Sequence, residues 1–299
     1  MAINTKTNNA VYTLALTNDI SNPNLLINPD FKINQRGQST YKFSPGSGYT
    51  VDRWKLWNGT LTVNSNNTIT LKNIVSGENC TVVQQLENIV DTPCVISAYV
   101  VDFSGECSIR SEDSTGEYQS GITVTKKGLI TVNCKGCKMV SIAVIGNGFI
   151  TLKYVKLEKG TVATPFIEPN PATELLKCQR YYSKLAIYTG YNIAMGQSGS
   201  YLYLPLNQKM RANPTVSLDK STITVAIPES NTNKKYNIQS IELAYLYDNY
   251  IYIYIKTNPG YGIWTGRIVE DVIYIYIIKC RNILKDTIIG IFLFTLTYS

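Results

Sequence analysis

Histidine is absent from the chain. Its absence removes imidazole acid–base catalysis, histidine-activated serine or cysteine nucleophiles and histidine metal sites together. Charge is sparse, with 16% of residues Asp, Glu, Lys or Arg. No dense Lys/Arg run interleaved with aromatics occurs, so no nucleic-acid partner is expected. Long apolar runs are missing too. The most apolar stretch, Ile288 to Leu296, falls far short of the roughly 18 residues of a spanning helix, which argues against membrane insertion. The opening MAINTKTNNAVYTLALTNDI has no basic segment leading into an apolar core, so a protein made in the cytoplasm without a signal peptide is expected. Cysteines number seven at irregular spacing, unlike a secreted disulfide framework. Cys134 and Cys137 form one C-x-x-C. Without a second pair, a histidine or a βαβ context they are expected to be plain thiols, with no metal and no cofactor.

What the chain has instead is strand-forming text. Its 299 residues include 22 tyrosines, a residue that half-buries in a sheet and still offers a hydroxyl. Between Asn24 and Phe166, short β-prone runs alternate with turn signals. The runs are 61–63, 68–71, 81–86, 95–100, 122–124, 129–132, 140–145 and 149–152, with Ser65-Asn66-Asn67, Lys127-Gly128 and Gly146-Asn147-Gly148 among the turns. Such spacing predicts a β-sandwich. Pro169-Asn170-Pro171 blocks a helix, and after it Ala172 to Lys184 carries strong helix formers, with Leu175, Cys178/Gln179 and Tyr182 on one face. Too short to stand alone, it packs either on its own domain or around an axis shared by three copies.

Beyond Lys184 the pattern changes. Tyr201-Leu202-Tyr203-Leu204, Tyr245-Leu246-Tyr247, Tyr250 to Ile255 and Ile273 to Ile277 alternate aliphatic with tyrosine. Period two puts the aliphatics on one face, as core, and the tyrosines on the other. That second face is a buried layer, a subunit interface or a ligand platform. The expected fold is all-β: two β-sandwich (jelly-roll-like) domains joined by a short helix. The boundaries are an N-terminal arm 1–23, a first domain 24–168, a linker helix 169–184 and a second domain 185–299. Residues 1–168 carry 15 basic and 13 acidic side chains, and residues 169–299 carry 13 and 8. The surplus of +5 in the second half is either a solvated surface or an attraction for an anionic polymer.

Three ordered pieces carry a resemblance. The first is Asn24-Leu25-Leu26, Asn28, Asp30-Phe31 and Ile33-Asn34-Gln35-Arg36; the second is Gly48-Tyr49-Thr50, Asp52-Arg53-Trp54. A Gly/Ser/Pro-rich loop is expected between the break at Asn28-Pro29-Asp30 and the strand-like return at Val51. The third is Leu157-Glu158, Gly160-Thr161, Ala163-Thr164-Pro165-Phe166, then Cys178-Gln179-Arg180-Tyr181-Tyr182. Together they resemble bacteriophage tail fibre and receptor-binding proteins with a jelly-roll domain like those of carbohydrate-binding modules. The resemblance implies a jelly-roll for 24–168, a helix joining two domains, and a homotrimer held to other tail or baseplate proteins through the N-terminal region. Jelly-rolls of this type often carry a structural calcium near the first strand, and Asn28 and Asp30 are oxygen donors there, but no EF-hand spacing accompanies them and no metal is expected.

The function expected on these grounds is that of a phage tail fibre or tail-like bacteriocin receptor-binding protein. It would attach to host cell-surface polysaccharide from a virion tail or extracellular tail-like particle. A polysaccharide depolymerase spike and a purely structural tail component are the rivals. The carboxylates beyond the helix are scattered, with no pair spaced for a shared cleft, so no enzyme is expected. Sugar binding needs flat aromatic faces and planar polar groups. The loop 257–267 supplies Tyr261, Trp264 and Arg267 among turn-formers, and the loop near Gly190 supplies Tyr191 and Asn192; either is a binding loop or only a hairpin tip. These five are the expected ligand-binding residues, with no catalytic and no metal residue among them.

Overall fold

In the computed structural model, the description covers residues 21–278 apart from 114–116, 189–191, 197–198, 220–221, 228–231, 259–263 and 269–271. Most of the arm 1–23 therefore lies outside the described residues. The chain is mostly β-strand, with one helix among the described residues. It divides into two compact units, 1–184 and 185–299.

The first unit has eight strands: β1 Thr40–Tyr49, β2 Lys55–Val63, β3 Ile69–Lys72, β4 Cys80–Val90, β5 Cys94–Glu112, β6 Tyr118–Thr123, β7 Gly128–Cys134 and β8 Cys137–Lys159. Register shows two layers sharing long bent strands. The first half of β8 pairs with β4 and with the end of β5, where β6 joins. Its second half pairs with β3 and with the start of β5, where β7 joins. β2 divides the same way, Lys55–Trp57 against β4 and Thr60–Val63 against β3. Both layers feed one core that includes Trp54, Leu61, Ile96, Ile109, Ile142 and Leu152.

Two sequence expectations change here. The Gly146-Asn147-Gly148 turn is no reversal: 140–145 and 149–152 belong to one strand that bends. The bend is possible because glycines face each other across it. A Cβ on Gly105 (φ +71°) would lie 2.3 Å from Asn147 O, and one on Gly148 would lie 2.3 Å from Ser104 O. Such closeness is open only to glycine. The Gly/Ser/Pro-rich stretch after Tyr41, expected as a loop, is β1. Tyr41 is buried, and Gly48 leaves room for the Phe43 ring, which a Cβ there would meet at 2.2 Å.

The helix, α1, is Pro171–Gln179, shorter than expected, and Tyr182 already starts strand β9 (Tyr182–Tyr188). Asn170 caps it by accepting from Ala172 N and Thr173 N. Its buried residues are Glu174, Cys178 and Gln179, with Leu175 only half-buried. The exchange of Glu174 for Leu175 has a cause: the Glu174 carboxylate accepts the buried Asn28 N–H at 2.6 Å. The helix thus belongs to the first unit.

The second unit contains β10 Asn192–Gly196, β11 Gly199–Pro205, β12 Thr215–Leu218, β13 Thr222–Ile227, β14 Thr232–Leu246, β15 Tyr250–Asn258, β16 Trp264–Ile268 and β17 Val272–Ile278. Strands β10-β11-β15-β14-β13-β16 close into a barrel, and β12-β17-β9 form a separate sheet. This is a barrel where a second sandwich was expected. β14 carries two register shifts against β15, and such bulges bend and twist a strand so that a sheet can close on itself. Leu202, Leu204, Ile251, Ile253 and Ile255 are buried in a core joined by Leu185, Val216, Leu218 and Ile277.

Candidate functional site

The three motif pieces meet in space, and what they build is a framework. Asp52, 1% exposed, accepts from Gln35 N at 2.7 Å and from Gln35 Nε2 at 2.9 Å, and the same Nε2 reaches Tyr182 O at 2.8 Å. Burial pushes the Asp52 carboxyl up, opposed by the Gln35 donors and Arg36. Arg36 lies 3.9 Å from the Tyr182 ring centre and Arg53 3.6 Å from that of Tyr181. Trp54 Nε1 donates to Asn28 O at 2.8 Å. Asn28, Phe31 and Arg53 hold positive φ values of 55°, 61° and 74°, conformations that persist only where surroundings enforce them.

Asn28 is no free ligand. Its side chain donates to Ile33 O and Asp52 O and accepts from Ile33 N. Asp30 pairs with Lys32 at 3.4 Å, and among the described residues no group of three acidic or thiol side chains could hold a metal. Cys134 and Cys137 are buried, and the cross-strand partner of Cys134 is Cys94. The two neighbouring thiols push each other's titration apart, Cys94 up and Cys134 down.

A second buried knot closes the third motif piece. Lys156 and Glu158 are 1% and 0% exposed and lie 3.1 Å apart. Lys156 Nζ also donates to Ser21 Oγ, Thr164 Oγ1 and Pro165 O, and Glu158 accepts from Thr164 N and Oγ1. Every ionic group here is partnered inside the protein.

Of the five expected ligand-binding residues, Tyr261 and Tyr191 lie outside the described residues. The backbone of the others is placed on barrel strands: Asn192 on β10 faces Arg267 on β16 in register, and Trp264 faces Met195. Strand pairing brings Asn192 and Arg267 together.

The clearest exposed constellation of the described residues is one the alternation foretold. On the face opposite the aliphatic core, three adjacent strands present tyrosines in rows. Tyr201, Tyr254 and Glu242 make one row, and Tyr203, Tyr252 and Tyr245 the next. Tyr250 and Tyr247 follow, joined by Tyr247 N to Tyr250 O at 3.0 Å. The rings interlock, with centroids 4.9 Å apart for Tyr201–Tyr254, 5.6 Å for Tyr203–Tyr252 and 4.4 Å for the stacked Tyr247–Tyr250. Tyr201, Tyr203, Tyr245 and Tyr247 remain 45–59% exposed. This geometry fixes flat apolar surfaces with hydroxyl rims, which suits the apolar side of a pyranose.

No family model matches the chain, and no curated protein matches it. Among solved structures it is similar to the N-terminal CBM22-1–CBM22-2 tandem domain of Paenibacillus barcinonensis Xyn10C. The two are 7% identical with a TM-score of 0.28, over 85% of this chain and 96% of that one. It is also similar to discoidin II of Dictyostelium discoideum, at 11% identity and TM-score 0.19 over 70% and 80% of the two chains. At these scores neither likeness carries an argument about fold or function.

Proposed function

We propose that this is a non-enzymatic receptor-binding protein of a phage tail or tail-like bacteriocin, and that it attaches to bacterial surface glycan through its C-terminal unit. The observation that carries the glycan reading is the interlocked, half-exposed tyrosine face on β11, β15 and β14. Rings held by one another lose little further entropy on meeting a ligand. The tail assignment rests on the three motif pieces and their convergence in one framework. A homotrimer, with the N-terminal region bound to other tail or baseplate proteins, belongs to the same reading. Each stacked ring contributes on the order of 1 kcal/mol, so three copies acting together would supply the avidity. In this proposal Tyr261, Trp264, Arg267, Tyr191 and Asn192 form a flanking contact region.

The test is adsorption of the purified chain to intact bacteria and to purified wall polysaccharide, with released reducing sugar measured in parallel. Adsorption without sugar release is expected. Sugar release would transfer the protein to the depolymerase class, and absence of any adsorption would leave it a structural component. Light scattering that reports a monomer at micromolar concentration would remove the trimer.

A further inference from the structure

At one end of the tyrosine face the residue types change. Two rows lie together there: Tyr201, Tyr254 and Glu242, and beyond them Gly199, Lys256 and Ser240. Residues opposite one another in register point to the same side of a sheet, as do residues two apart on one strand. Glu242, Lys256 and Ser240 therefore share the outer face with the two rings. Glu242 and Lys256 are exposed. Ser240 Oγ donates to Glu242 Oε1 at 3.2 Å, which orients the carboxylate. On β11 the position opposite Lys256 is Gly199, so that strand places no side chain beside it.

We propose that Tyr201, Tyr254, Glu242 and Lys256 form the specificity subsite for an uncharged pyranose bearing neighbouring hydroxyl groups. The proposal rests on the glycan reading of the tyrosine face and names the ligand class that face selects. The rings take the apolar side of the sugar. The carboxylate, an acceptor with two oxygens, takes hydroxyl protons from two adjacent carbons, and the ammonium donates to a hydroxyl or ring oxygen.

Charge selects against anionic sugars. Among the described residues, the rows at this end carry one acidic and one basic group, Glu242 and Lys256. A uronic acid or phosphodiester would be set against the Glu242 carboxylate. Size selects against a second protein surface. Seven tyrosines of about 200 Å² each, roughly half covered, leave an area somewhat below the ~800 Å² per partner of a stable protein interface.

The probe is an array of immobilised neutral hexoses, N-acetylhexosamines, uronic acids and glycerol-phosphate polymer, read with the full-length chain. The expected result is binding to neutral pyranosides, lowered about tenfold by Glu242→Gln through loss of one charge-assisted hydrogen bond. Tyr203→Ala with Tyr252→Ala, in the next row, is the control for the platform, and near-UV circular dichroism checks that both variants are folded. If Glu242→Gln binds like the parent while the tyrosine variant does not, the subsite is wrong and the platform stands. If both variants bind like the parent, or the parent binds no neutral pyranoside, the platform reading falls with it. Binding confined to the anionic probes overturns the proposal directly.

Discussion

The two units place their polar residues on opposite sides of the same kind of aliphatic core. In the first unit polar groups are drawn inside: Asn28, Asp52, Gln84, Lys156, Glu158 and Glu174 are at most 2% exposed, each with hydrogen-bond partners. Some of them join segments more than a hundred residues apart, as when Glu174 accepts from Asn28 N. In the second unit, among the described residues, the buried side chains are aliphatic or Met and the tyrosines lie outside. Buried polar knots specify one arrangement, because any other leaves charges unpaired in low dielectric. An exposed aromatic face specifies little about the fold and remains open to a partner.

The sharpest way to break this comparison is at Lys156. Lys156→Ala leaves Glu158 ionised and buried without its counter-ion, and removal of one partner of such a pair costs about 3–5 kcal/mol. Hydrogen exchange should show the first unit opening more easily, with β11 and β15 protected as before. Unchanged protection in the first unit would mean the knot is ornamental.

Next in size is the bend shared by β5 and β8. Gly105→Ala puts a methyl against Asn147 O and forces a left-handed backbone on alanine. About 2–3 kcal/mol should be lost, measured as a lower midpoint in denaturant. A variant as stable as the parent would show that the two layers do not depend on this contact.

The tyrosine face should respond the other way. Tyr203→Ala with Tyr252→Ala removes half-exposed rings, so stability should fall by only about 1 kcal/mol, the scale of one aromatic pair. Adsorption to cells should fall at least about tenfold, since two stacking contacts are lost. A variant that unfolds instead would place these rings in the structural class of the first unit.

How much of this was legible in the sequence differs between the units for the same reason. The motif residues Asn28, Gln35, Asp52, Trp54 and Tyr182 could be picked out because a buried polar contact tolerates few residue types; their partners could not, since pairing such as Gln35 to Tyr182 O is set by the fold. The period-two pattern announced the tyrosine face. It could not place Glu242 there. Along an unbroken strand Glu242 and Tyr245 would point to opposite faces, and only the register shift between Leu243 and Tyr245 brings them to one side. Bulges of that kind, like the continuous β8 and the closure of the barrel, arise from packing between distant strands. The local conformation of the expected loop residues was also hidden: Trp264, Arg267 and Asn192 sit among turn-formers in the text, yet long-range pairing takes them into β10 and β16.

The smallest expected effect concerns salt. Residues 169–299 carry a net +5, and if that charge drove attachment, adsorption should weaken steeply as salt rises. The tyrosine face argues otherwise. The charged residues that register puts in its described rows are Glu242 and Lys256, one of each sign. Stacking and short hydrogen bonds act at contact distance, below the Debye length at any ordinary salt concentration. Adsorption measured between roughly 50 mM and 500 mM NaCl should therefore change by less than about twofold. A tenfold fall would assign attachment to the basic residues elsewhere in the second unit. It would also make an anionic wall polymer the receptor and reduce the tyrosine face to a surface for protein contact.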